Sequence, residues 1–169
     1  MKKTDLYSLF LKRKRWSELY NDLIEEMDFQ IHQIDKQFDE FSSYFKNMDY
    51  ETPDLEQTTI MAAILHSFYT GLENIFIMIS KKVDGFTPSS VKSHQELLDF
   101  VHENTSNREA IINEETYLIL NEYMKFRHVF RHGYSFQLKW EKMKSLAVNL
   151  FDTWGSVKEQ LASFVESLI

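Results

Sequence analysis

From Trp16 to Met48 the apolar positions are Trp16, Tyr20, Leu23, Met27, Ile31, Ile34, Phe38, Phe41, Phe45 and Met48, each step three or four residues. A strand would send alternate residues to opposite faces, so this spacing keeps the set on one side only in a helix. The result is one stripe running for roughly nine turns, which has to be buried against other helices. The chain has 4 Gly and 2 Pro in 169 residues, too few to punctuate a many-stranded sheet. Long helices are the economical reading.

The remaining sequence divides in the same way. Thr52-Pro53 ends the first stripe, because proline disfavours helix in the residue before it yet suits a first helical turn. A greasier second helix carries Ile60, Ile64, Leu65, Phe68, Leu72, Ile75, Phe76 and Ile79, as a central bundle helix would. Asp84-Gly85 and Thr87-Pro88-Ser89-Ser90 form a turn-rich connection. Ser93-His-Gln-Glu96 has the pattern of a capping box opening a short helix through Leu97, Leu98 and Val101. Asn104 to Asn113 is polar and bends. A fourth helix is predicted from about Glu114 to His132, with Gly133 as a left-handed cap. Trp140, Met143, Leu146, Leu150, Trp154, Val157, Leu161, Phe164 and Leu168 define one last helix. The expected fold is all-α: an antiparallel helical bundle of four main helices and a short one, forming a single domain over residues 1–169.

Cysteine is absent, which removes disulfides, thiol nucleophiles and thiolate-bound zinc. The basic run Lys12 to Arg15 interrupts the amino-terminal apolar stretch, and no small-residue cleavage site follows it. No 18 consecutive apolar residues occur, so no membrane span and a cytoplasmic location are expected. The formal net charge of −7 is unevenly spread. Residues 2–15 and 125–144 together carry 12 of the 19 Lys/Arg but 2 of the 26 Asp/Glu. Two basic patches on an acidic body can steer a polyanion to one place; such clusters also occur as solvated helix faces.

The richest chemistry lies in Arg127-His-Val-Phe-Arg-His132, followed by Gly133-Tyr134. On the fourth helix Tyr117, Leu120 and Met124 form an apolar stripe that continues into Arg127 and Arg131. A cation on such a stripe needs an anion, whether a neighbouring carboxylate, a subunit or a phosphate. Arginine suits phosphate because its planar fork donates parallel charged hydrogen bonds. His132, at a helix end, can exchange protons near neutral pH, as cleavage of RNA at a ribose 2′-hydroxyl requires. One histidine cannot easily act as base and acid in one pass, so a two-fold dimer pairing two copies of the segment would complete the site. The structural alternative makes Arg127 an ion-pair partner and His132 a helix cap.

Other constellations say less. His128 and His132 share the spacing of a two-histidine metal site but lack its glutamate, and no His follows a Glu by three residues as a di-iron bundle requires, so no metal or other cofactor is expected. His66 and Glu73, seven residues apart, fall on one helix face and read as a buried pair. His94 reads as part of a first helical turn.

Arg-x4-His with tyrosine two residues later resembles the signature of the HEPN superfamily, and more narrowly of HepT-like ribonuclease toxins. The similarity extends to Leu65-His-Ser-Phe-Tyr-Thr-Gly-Leu-Glu73-Asn-Ile-Phe, Val83-Asp-Gly85, Ser93-His94-Gln-Glu-Leu-Leu98 and Phe126 to Phe136, in the family's order. It covers residues 16 to 168. Ser93 departs from it, since a tryptophan is expected before His94. The resemblance implies a homodimer that cuts RNA (tRNA or mRNA) without a metal as the toxin of a toxin–antitoxin pair. Arg127 would contact the phosphate and His132 would be the acid/base, with Lys125, His128 and Arg131 as supporting RNA contacts. It further implies a minimal nucleotidyltransferase antitoxin that adds AMP to Tyr134. The alternative is a noncatalytic helical module that binds RNA or pairs with a nucleotidyltransferase.

Overall fold

The computed structural model describes residues 6–88, 93–133 and 138–168, with side chains from Tyr20 onward. Seven helices occur among them: α1 Leu6–Glu40, α2 Ser42–Asn47, α3 Leu55–Asp84, α4 Ser93–His102, α5 Glu114–His132, α6 Trp140–Val148 and α7 Leu150–Leu168. They form an all-α bundle with α3 at its centre, against which α1, α4, α5 and α6 all pack.

Helix α3 is central because its sequence leaves it no dry-side alternative. Met61, Leu65, Phe68, Leu72, Ile75, Phe76 and Ile79 are all essentially inaccessible to solvent. They are too many to lie along one narrow stripe, so the helix is covered from several directions. Its length and mean hydropathy of 1.3 over the most apolar stretch would also suit a membrane span, although no uninterrupted apolar run is present. Here 56% of that stretch is buried by the rest of the chain. Asp54 caps its start, accepting from the Gln57 amide at 2.8 Å while Gln57 reaches back to the Asp54 amide. Pro53 thus precedes the cap and lies outside the first turn. Gly85, with φ 66°, ends the helix in the left-handed conformation. Midway, a Cβ at Gly71 would stand 2.9 Å from Ile34 side-chain atoms, so glycine there lets α1 approach closely.

Two expected helices are broken. The long first stripe is interrupted at Phe41, and α2 turns so that Phe45 reaches Phe38 and Phe151, with centroids 6.0 and 5.0 Å away. The last helix divides at Asn149, whose side-chain amide donates to the Ser145 carbonyl at 2.9 Å. Such local bonding competes with continuation of the helix. Helix α5 has the expected bounds, but Gly133 leaves it extended (φ −98°, ψ 161°) and is no left-handed cap. Ser93 is already the first residue of α4, and residues 89–92 before it lie outside the described residues.

Between α4 and α5 the chain is irregular but tightly tied. Arg108 is buried with Asp84, the Nε donating to Oδ2 at 2.8 Å, and their side chains are 1% and 3% exposed. The same guanidinium donates to the carbonyls of Phe100, Glu103 and Glu109. Thr105 Oγ1 donates to the other Asp84 oxygen at 2.7 Å. Polar residues that read as a bend are therefore wound around one cation, which joins the end of α3 to α4 and to the loop that leads to α5. Removing one member of a fully buried pair leaves the other uncompensated. Arg108→Ala should cost about 3–5 kcal/mol in urea unfolding, and the loss should shrink when Asp84→Ala is added.

Candidate functional site

The polar cluster of this bundle grows from one carboxylate. Glu73 sits on α3 between Leu72 and Ile75 and its side chain is 5% exposed. An ionised carboxylate at such depth needs opposite charge or hydrogen bonds. Helix α5 supplies Arg127, whose Nε lies 3.1 Å from Glu73 Oε2 and donates to Thr70 Oγ1 at 3.3 Å. Helix α4 supplies His94, whose Nδ1 lies 2.6 Å from Glu73 Oε1, a close charge contact without hydrogen-bond alignment. Arg127 Nη1 also approaches His94 Nε2 at 3.3 Å. Since a guanidinium can only donate, that approach is favourable when His94 Nε2 carries its lone pair and the ring proton is on Nδ1, toward Glu73. The guanidinium is thus held at Nε and Nη1, and Nη2 has no partner among the described residues.

Burial and charge act in opposite directions on these groups. Burial raises the Glu73 pKa above the ordinary carboxylate value, and Arg127 followed by His94 offsets part of the rise. His66, one to two turns earlier on α3, stacks on Phe130 with centroids 4.9 Å apart. Burial, then Arg127 and Arg131, lower its pKa. Its Nδ1 is buried without a hydrogen-bond partner among the described residues, so His66 and Glu73 do not form the pair their spacing suggested. Glu73 turns instead to other helices.

The other sequence-named residues lie apart from this cluster. His132 is exposed, about 140° around α5 from Arg127 by helix geometry. Its ring lies 4.7 Å from that of His128, also exposed. No hydrogen bond or ion pair joins Arg127 to His132 among the described residues. Arg131 is exposed, and Lys125 is exposed with its ammonium 2.7 Å from Glu122. Tyr134 and the side chains of Lys12 to Arg15 lie outside the described residues. The structure therefore brings together Arg127, Glu73, His94 and Thr70, and leaves the histidines of α5 facing solvent.

Sequence reading passed over His94 and Thr70 as members of the site. The available signal was Glu73 itself, a carboxylate on the greasiest helix whose charge had to be met from elsewhere. Nothing in linear spacing says that the partner sits at the start of α4.

The architecture defines an all-α bundle with a charged cluster shared by three helices, the arginine coming from an Arg-x4-His segment. A family model described as HepT-like protein matches residues 60–168, which includes every member of that cluster. The chain belongs to this HepT-like, HEPN-type family. Comparison with curated proteins and with solved structures finds no match.

The electrostatics predict a pH response. His66 has a depressed folded-state pKa, so its contribution to stability is present above the ordinary value of 6.5 and lost as pH falls through it. Glu73, raised in the fold, contributes the opposite slope, its stability lost as pH rises through its folded value. His66→Phe removes only the first effect and keeps a ring against Phe130. Between about pH 7.5 and about pH 5.5, this variant should lose less unfolding free energy than the wild type in parallel urea titrations.

Proposed function

We propose that this protein is a metal-independent endoribonuclease and the toxin of a toxin–antitoxin pair, working as a homodimer in the cytoplasm. The observation that carries the reading is the bracing of Arg127. Glu73, Thr70 and His94 hold its guanidinium at two nitrogens, leaving a fixed cation of the Arg-x4-His segment whose Nη2 has no partner among the described residues. A phosphate contact held in place before substrate arrives stabilises developing charge without reorganisation. Membership of the HepT-like family and the basic bias of residues 125–144 point the same way.

In this reading the 2′-hydroxyl of a ribose attacks the adjacent phosphorus and the 5′-oxygen departs. Arg127 neutralises the charge that builds on the phosphoryl oxygens. His132 acts in proton transfer, and its separation from Arg127 around α5 is why a second copy of the chain is invoked: the partner's His132 would complete the cleft. Exposed Lys125, His128 and Arg131 would hold flanking phosphates of a tRNA or mRNA. Tyr134 would be the acceptor of AMP from a minimal nucleotidyltransferase antitoxin.

A second reading draws on the same bracing. With Nε and Nη1 of Arg127 committed internally, the cluster can serve stability alone, making the chain a noncatalytic module that binds RNA or a nucleotidyltransferase. His132→Ala separates the two, because the exposed ring has little to do with folding. We expect EDTA-insensitive cleavage of RNA by the wild type, a loss of about 100-fold or more in His132→Ala, and an unchanged melting temperature. Full activity in that variant would remove His132 from the site, and no wild-type cleavage of tRNA or mRNA would favour the binding module.

A further inference from the structure

Cleavage at a 2′-hydroxyl needs one group to take a proton and another to give one. The Arg-x4-His segment supplies a single histidine, and that histidine does not share the side of α5 that carries Arg127. A different histidine does stand beside Arg127. His94 Nε2 is 3.3 Å from Arg127 Nη1, while its Nδ1 faces the Glu73 carboxylate at 2.6 Å.

We propose that His94 is the general base of the cleavage reaction, held beside the Glu73 carboxylate and next to the phosphate-binding Arg127. The assignment rests on the ribonuclease reading above and adds to it a residue outside the Arg-x4-His segment. Three observations carry it. The Glu73 carboxylate, 2.6 Å from Nδ1, favours the proton on that nitrogen by proximity of charge and leaves the Nε2 lone pair as the acceptor. Exposure is graded in the required sense: Glu73 is 5% exposed and Arg127 12%, whereas the His94 side chain is 42% exposed and open to a substrate. The acceptor nitrogen and the guanidinium are also neighbours, so a phosphate on Arg127 brings the 2′-oxygen of the same linkage near Nε2.

The step balances without a co-reactant. Nε2 removes the 2′-hydroxyl proton as the 2′-oxygen bonds to phosphorus. The bond from phosphorus to the 5′-oxygen breaks, and that oxygen takes a proton from His132 of the partner subunit. The products are a 2′,3′-cyclic phosphate and a free 5′-hydroxyl, with one proton moved from His132 to His94. The Glu73 carboxylate beside Nδ1 stabilises the imidazolium that forms. Before substrate arrives Nε2 accepts from Arg127 Nη1 at 3.3 Å; the 2′-hydroxyl replaces that long contact while Nε keeps the guanidinium against Thr70 and Glu73.

The test compares an ordinary RNA oligonucleotide with one whose 5′-bridging oxygen is replaced by sulfur, a leaving group that needs no acid. The variants are His94→Asn, which keeps a donor near the Nδ1 position, and His94→Gln; the one with wild-type melting temperature is assayed. We expect cleavage of ordinary RNA to fall by about 100-fold or more in both the His94 variant and His132→Ala, with RNA affinity unchanged. The sulfur substrate should restore His132→Ala, which lacks the acid, and leave the His94 variant slow. Wild-type rates in the His94 variant, or its rescue by the sulfur substrate, would overturn this assignment alone. Absence of cleavage by the wild type would overturn the ribonuclease reading and this assignment together.

Discussion

The arrangement of this bundle's polar interior follows from one carboxylate on its most apolar helix. Glu73 is carried into the core because α3 is surrounded, and α3 is surrounded because its apolar residues cover more than one face. Once buried, the charge has to be answered by groups on the neighbouring helices. Arg127 from α5 and His94 from α4 answer it, and so the contact that compensates a buried anion also fixes where the guanidinium and the imidazole stand. Packing and chemistry share a single origin.

Helical periodicity imposes the second constraint. Residues four apart share a face, while residues five apart diverge. His128 and His132 therefore come together as rings 4.7 Å apart, and Arg127 turns away from them into the interior. Arg-x4-His spacing therefore does not bring its two ends together within one helix. The spacing that looks like a compact motif in the sequence is, on a helix, a device for presenting one group inward and another outward.

Much of the framework was legible because it depends on local rules. Three- and four-residue steps placed α5 at its observed bounds and identified α3 as central. Interruptions were harder. Asn149 leaves helical geometry between α6 and α7 (φ −93°, ψ 8°), a break that a continuous apolar stripe conceals. Phe41 breaks the first stripe where α2 turns toward Phe151, a residue more than a hundred positions away. Gly133 was read as left-handed because glycine permits that conformation, yet permission is not requirement, and Gly85 is where it occurs. The loop before α5 read as polar and bent; Arg108, buried against Asp84, turns it into an anchored segment.

The sequence by itself determined the helical class, the greasiness of α3, and the chemistry available in Arg127, His132 and Tyr134. These properties reside in composition and in periodicity along one element, which local sterics and backbone hydrogen bonding translate directly. Only the tertiary structure decided that Glu73 does not pair with His66 and joins Arg127 and His94 instead. Those three residues come from helices separated by loops, and their meeting depends on how apolar faces pack, which no spacing along the chain encodes. The burial of Glu73, and hence the electrostatics of the whole cluster, exists only once that packing is complete.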